Sequence, residues 1–166
     1  MPATEVEAEM DGPNGDPREK IVVGIDGSKS ANQALSWAAR QARLTGASLE
    51  VISVWAPPTT LGWTPNWPEG LDLAQIAEDL LSKTVPEVLG ADPGIDVVQT
   101  VVEGHPALVL VERSRDAALV VVGSRGHGAF AGMLLGSVGL HLASHAHCPV
   151  VIVRESPHQR EAKLAQ

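Results

Sequence analysis

Apolar residues in this chain gather into short continuous runs that alternate with stretches of helical period. Lys20–Asp26, Ser48–Val54, Ile95–Val102, Ala118–Val122 and Pro149–Val153 are apolar runs bounded by turn formers, which predicts five buried strands. Between the first two runs, Ala34, Leu35, Ala38, Ala39 and Ala42 recur at helical spacing. Ser30 is expected to cap this helix, with Gln33 completing a capping box, and Gly46 to end it. Leu71–Leu89 has a helical period that Pro86 should kink or shorten. His105–Ser114 carries Pro106 in its first turn, where proline suits a helix, and Gly136–Ala146 is the fourth helical stretch. Trp55–Gly70, rich in proline and tryptophan, reads as an irregular connection.

Strictly alternating strands and helices, with strands apolar throughout, predict an α/β fold: a parallel sheet covered by helices on both faces. The boundaries place a disordered acidic tail at 1–19, one domain at 20–154 and a polar tail at 155–166. In such sheets ligands sit beyond the carboxyl ends of the strands, where the strand order reverses. Two turns meet that description, Asp26-Gly27-Ser28 after the first strand and Gly123-Ser-Arg-Gly126 after the fourth. If those two strands are neighbours, both turns face one crevice.

The second turn belongs to a longer pattern. Gly123 and Gly126 are followed, after nine further residues, by Gly136-Ser137 at a helix start. Glycines allow backbone N–H groups to approach an anion, and a helix N-terminus adds unpaired donors and a positive dipole end. The pattern therefore predicts phosphate binding. It is not a Walker loop, because the spacing differs and no lysine follows the last glycine. Arg125 is the fixed cation within it, so the donors are mainly backbone, and a binder with slow or negligible hydrolysis is expected.

Charge sharpens this reading. The net charge is −8, only 3% of residues are aromatic, and no Lys/Arg stripe exists, which argues against a nucleic-acid surface. A hydrophobic fraction of 44% argues against a disordered chain, and no apolar run approaches the roughly 20 residues of a membrane span. The acidic N-terminus lacks a signal pattern and Cys148 is the single cysteine, so a cytoplasmic protein is the expectation.

Val23-Gly-Ile-Asp-Gly-Ser28, Gly104-His-Pro-Ala107, Val121-Val-Gly-Ser-Arg-Gly126, Gly136-Ser-Val138 and Cys148-Pro-Val-Val-Ile-Val-Arg154 carry a resemblance. Over about Lys20–Arg154 the chain resembles the universal stress protein family in its single-domain, ATP-binding form, a Rossmann-like, adenine nucleotide alpha hydrolase-like fold. The resemblance implies the strand order 3-2-1-4-5 and a homodimer joined along strand five, Val150–Val153. It also implies ATP contacts: Ile25 and Asp26 at the adenosine end and Val54 lining the adenine pocket. Val122 and Gly123 would lie on the ribose side, with Gly126, Gly136, Ser137 and Val138 holding phosphates. Magnesium could accompany ATP through substrate oxygens and water. Many members carry Ser or Thr where this chain has Gly139, which removes one hydroxyl from the phosphate end.

The implied role is a nucleotide-dependent stress-response regulator. The alternatives are a slow ATPase or transferase, with His127 and Arg125 beside the γ-phosphate, and an interaction module without nucleotide. His141, His145 and His147 are read as solvated helix histidines rather than a zinc site. Cys148 is read as a core or near-core thiol. The hydrolase elbow G-x-S-x-G is missed because Val122 stands at its first position. Trp37 suits helix packing, whereas Trp55, Trp63 and Trp67 lie in the long connection.

Overall fold

The computed structural model describes residues 19–57, 72–126 and 135–155. Five strands, β1 (Lys20–Gly24), β2 (Ser48–Trp55), β3 (Val97–Glu103), β4 (Leu119–Gly123) and β5 (Val150–Val153), form one sheet. Four helices alternate with them: α1 (Lys29–Thr45), α2 (Leu73–Leu89), α3 (Pro106–Arg113) and α4 (Ser137–His145). The strand order is 3-2-1-4-5, and every neighbouring pair is parallel. The parallel sheet with intervening helices is what the alternation predicted, and the strand order is the one the family resemblance implied.

The period-two alternation of the strands builds two cores. Ile21, Val23, Leu49, Val51 and Val121 face α1 and α2. Val22, Ile52, Val120 and Val122, one residue out of phase, face Leu110 of α3 and Leu142 of α4. Slipping any strand by one residue would exchange its faces, so the register in which Val23 stands beside Val51 and Val121 is fixed from both sides. The alanines of α1 let that helix lie close to β1 and β4: Ala34, Ala38, Ala39 and Ala42 are all fully buried. Trp37 packs against the edge of this core.

Helix ends differ from expectation at two places. The cap of α1 is Ser28, whose hydroxyl accepts from Ala31 N–H at 3.2 Å, and the helix begins at Lys29. Ser30 is instead buried in the first turn, with its hydroxyl committed to the β4 loop. Two serines at this spacing compete for the cap, and the tertiary partner of Ser30 decides it. Pro86 does not shorten α2, which continues to Leu89, one turn after the proline. Gly46 ends α1 in a left-handed conformation, as its position predicted.

One charged group lies inside the sheet. Glu50 of β2 is 5% exposed and pairs with Lys20 Nζ and Arg113 Nη1, each at 2.9 Å, while Thr100 Oγ1 donates to it at 3.0 Å. Its partners come from β1, β3 and the end of α3, so the carboxylate ties three elements together. The signal was available in the sequence: a carboxylate within the apolar run Leu49-Glu-Val-Ile52 requires a cationic partner once buried.

Candidate functional site

The strand order reverses between β1 and β4. From β1 the chain winds outward through β2 to β3, then crosses to β4 and winds outward to β5. The turns leaving β1 and β4 therefore open at the same end of the sheet, on the two sides of one crevice.

On the β1 side, Gly27 adopts φ 82°, a conformation that favours glycine, and this sharp turn leads directly into α1. Asp26 is exposed, and its Oδ1 accepts from Ser28 N–H at 2.9 Å, which fixes the carboxylate across the turn. Ile25 lies beneath it, buried, with its N–H donating to Ile52 O at 2.8 Å.

On the β4 side the two glycines do different work. A Cβ built on Gly123 would stand 2.5 Å from Ser30 Oγ and 2.7 Å from both Ala31 N and Ser30 C. The absent side chain of Gly123 thus makes room for the first turn of α1, not for a ligand. Gly126 is exposed, and a Cβ there would collide with Asp26 Oδ2. Two residues 100 positions apart in sequence, Asp26 and Gly126, are thereby brought face to face across the crevice.

Beneath the rim, Ser124 is 3% exposed; its N–H donates to Val153 O at 2.8 Å and its carbonyl accepts from Gly136 N–H at 2.7 Å. The second bond joins the β4 loop to the start of α4. Gly136 is the N-cap of α4 and provides no side-chain cap, so the first-turn amides of that helix have no capping side-chain acceptor. Gly136's own N–H is spent on Ser124. The donors that α4 offers to the crevice are accordingly those after it, from Ser137 onward, and Ser137 is exposed. Val138, Val122 and Val54 belong to the apolar cluster under the α3–α4 side. Arg125 is half-buried, with its carbonyl held by Ser30. Ser30 and Ser124 are the buried polar residues of this region that the glycine pattern did not single out.

Gly139 has a role beyond a missing hydroxyl. A Cβ there would point at Leu135 Cδ1, 2.8 Å away, with Ile152 Cδ1 at 3.6 Å. Leu135 occupies the notch that glycine leaves in α4. His127 and residues 58–71, including Trp63 and Trp67, lie outside the described residues, as do most of both tails. His141 and His145 stack with ring centroids 4.3 Å apart, and His147 N–H donates to Ser114 Oγ at 2.8 Å. Among the described residues, no three His, Cys, Asp or Glu side chains converge on a metal position. Nor is any described helix long and apolar enough to cross a membrane.

Parallel strands in the order 3-2-1-4-5, with a glycine-lined crevice at the reversal, define a doubly wound α/β protein of the kind that holds ligands at strand ends. The model of the universal stress protein family matches residues 17–154, and the chain belongs to that family. Universal stress protein Rv2623 of Mycobacterium tuberculosis is 36% identical over 137 residues, covering 82% of this chain and 45% of its own length. Universal stress protein Rv2624c of the same organism is 37% identical over 148 residues, covering 87% of this chain and 52% of its own. The chain thus spans about half the length of the curated relatives it matches. Among solved structures, a universal stress protein in complex with cAMP superposes with a TM-score of 0.60 at 30% identity, over 81% of this chain and 95% of that one.

Proposed function

We propose that this chain is an adenine-nucleotide-binding regulator of the stress response, taking ATP with Mg²⁺ at the β1–β4 crevice and hydrolysing it little or not at all. The observation that carries the reading is the meeting of Asp26 and Gly126 beside the uncapped start of α4. It puts a carboxylate that can accept from ribose hydroxyls next to backbone donors that suit phosphate. The similar solved structure that holds cAMP supports the same ligand class.

In this reading Ile25 and Asp26 hold the adenosine end, and Val54 contributes to the adenine pocket. Val122 and Gly123 form the floor near the ribose, while Gly126, Gly136, Ser137 and Val138 form the phosphate end. Arg125 is the nearby cation. Magnesium, when bound, would neutralise phosphate charge that a chain of net charge −8 otherwise repels. Backbone amides and hydroxyls orient an anion, but they supply neither the charge clamp nor the acid–base pair of fast phosphoryl transfer. Occupancy of the site, rather than turnover, is then the signal.

A homodimer through β5 completes the proposal. Among the described residues β5 ends the sheet and its residues Val150–Val153 are only half-buried, so a second copy would cover the outer edge of that strand. The proposed compartment is the cytoplasm.

Calorimetric titration of ATP with magnesium, and of cAMP, into protein freed of carried-over nucleotide tests the reading. One site per chain, weakened at least tenfold by Asp26→Ala, is expected. Absence of heat and of thermal stabilisation at millimolar nucleotide would overturn it in favour of an interaction module without nucleotide. Turnover well above one per second would overturn the regulator in favour of an enzyme.

A further inference from the structure

We propose that Ser30 is a positioning residue for the phosphate end of the ligand. By hydrogen bonding the Arg125 carbonyl, it sets the plane of the Arg125–Gly126 peptide and aims the Gly126 N–H toward the start of α4. The inference rests on the nucleotide reading above and adds the residue that orients its central donor.

Ser30 is 1% exposed in the first turn of α1. As the second residue of α1 it has no preceding helical turn to bond back to, and its hydroxyl donates to Arg125 O, 95 residues away in sequence, at 2.5 Å. Packing alone does not call for a hydroxyl here, because the neighbouring buried positions Ala31 and Ala34 are alanine. Ser28 Oγ lies 3.3 Å from Ser30 Oγ, so the α1 cap and this contact form one continuous set.

The geometry of the peptide unit carries the effect to the ligand. In a trans peptide the C=O and the following N–H point in opposite directions within one rigid plane. With the Arg125 oxygen drawn to α1, the Gly126 N–H is turned away from it. On that far side stands Gly136: a Cβ built on it would lie 3.8 Å from Gly126 N and 3.7 Å from the Arg125 Cα. The Gly126 donor and the first-turn amides of α4 thus line the same side of the crevice. Gly123 makes the contact possible, because a side chain there would push α1 beyond the reach of a serine.

Comparing Ser30→Ala with the unmodified chain, for both ATP and adenosine, tests the proposal. Loss of one hydrogen bond that orients a phosphate donor is expected to weaken ATP about three- to thirtyfold. Adenosine, which has no phosphate, should be held within about twofold. Ser30→Thr, which keeps the hydroxyl donor, should recover part of the ATP affinity even where its added methyl lowers the melting temperature of the ligand-free protein. An equal loss for ATP and adenosine would overturn the proposal by assigning Ser30 a purely structural role, as would unchanged ATP affinity in Ser30→Ala. If the unmodified chain binds neither compound, the nucleotide reading itself fails, a result distinct from failure of the Ser30 comparison.

Discussion

Replacing Gly123 by alanine separates two uses of glycine that look identical in the motif. The added Cβ would stand 2.5 Å from Ser30 Oγ and 2.7 Å from Ala31 N and Ser30 C, and the last two atoms are α1 backbone. Favourable contacts between carbon atoms begin near 3.5–4.0 Å, so α1 would have to retreat from β4 by roughly 1 Å. Overpacking of that kind costs about 1–3 kcal/mol. Against it stands about 0.4–1 kcal/mol gained because alanine restricts the unfolded chain, a gain available since Gly123 does not need a positive φ. The middle of these ranges leaves a net loss of about 1.3 kcal/mol, which corresponds to a melting temperature lower by about 3–5 °C for a domain of this size. Gly126→Ala differs in what it meets. The obstacle is the far end of one side chain rather than helix backbone, so Asp26 can turn aside by giving up its bond from Ser28 N–H, and stability should change by less than about 1 kcal/mol while nucleotide affinity falls. Urea unfolding and ATP titration on both variants decide the matter. A Gly123→Ala protein that melts like the parent, or a Gly126→Ala protein destabilised as much as Gly123→Ala, would refute this division of labour.

Three further outcomes follow from other contacts. Glu50→Ala should lose about 1–3 kcal/mol in urea unfolding; this is below the figure for a fully buried pair, because the Lys20 and Arg113 side chains are 29% and 38% exposed and can return to water. Gly139→Ser should leave ATP binding no stronger and change stability by less than about 1 kcal/mol, because the new side chain meets the end of Leu135 instead of reaching the crevice and the helix gains by losing a glycine. Burial raises the Cys148 thiol above its ordinary 9.0, against a smaller opposing effect of a backbone hydrogen bond at Val120. Alkylation at pH 8 should therefore be slower than for a free thiol. The sign for stability follows: the folded state binds this proton more tightly, so its contribution is complete below the unfolded thiol's pKa and fades as pH rises through the folded one. A Cys148→Ala variant should lack this alkaline loss.

The local decisions in this molecule were legible along the chain. Apolar runs marked the strands to within a few residues, Gly46 ended α1, and Pro106 opened α3, because strand burial and helix termination depend on residues close in sequence. The glycine spacing likewise marked the end of β4 at Gly123 and the start of α4 after Gly136, since a strand end and a helix start are local objects. Contacts between distant segments were another matter. Spacing does not distinguish Gly123, which admits α1, from Gly126, which faces Asp26; only packing assigns those neighbours. The exchange of caps between Ser28 and Ser30 has the same origin, because both serines can cap a helix and the Arg125 carbonyl claims one of them. Glu50 lies between these cases: its position in an apolar strand announced a partner, but Lys20, Thr100 and Arg113 meet it only through the 3-2-1 pairing of the strands and the return of α3 over them. Periodicity and turn chemistry act within a few residues, so the sequence by itself determined the elements and their order. Close packing acts between whatever the fold brings together, and it alone decided which atoms face the crevice.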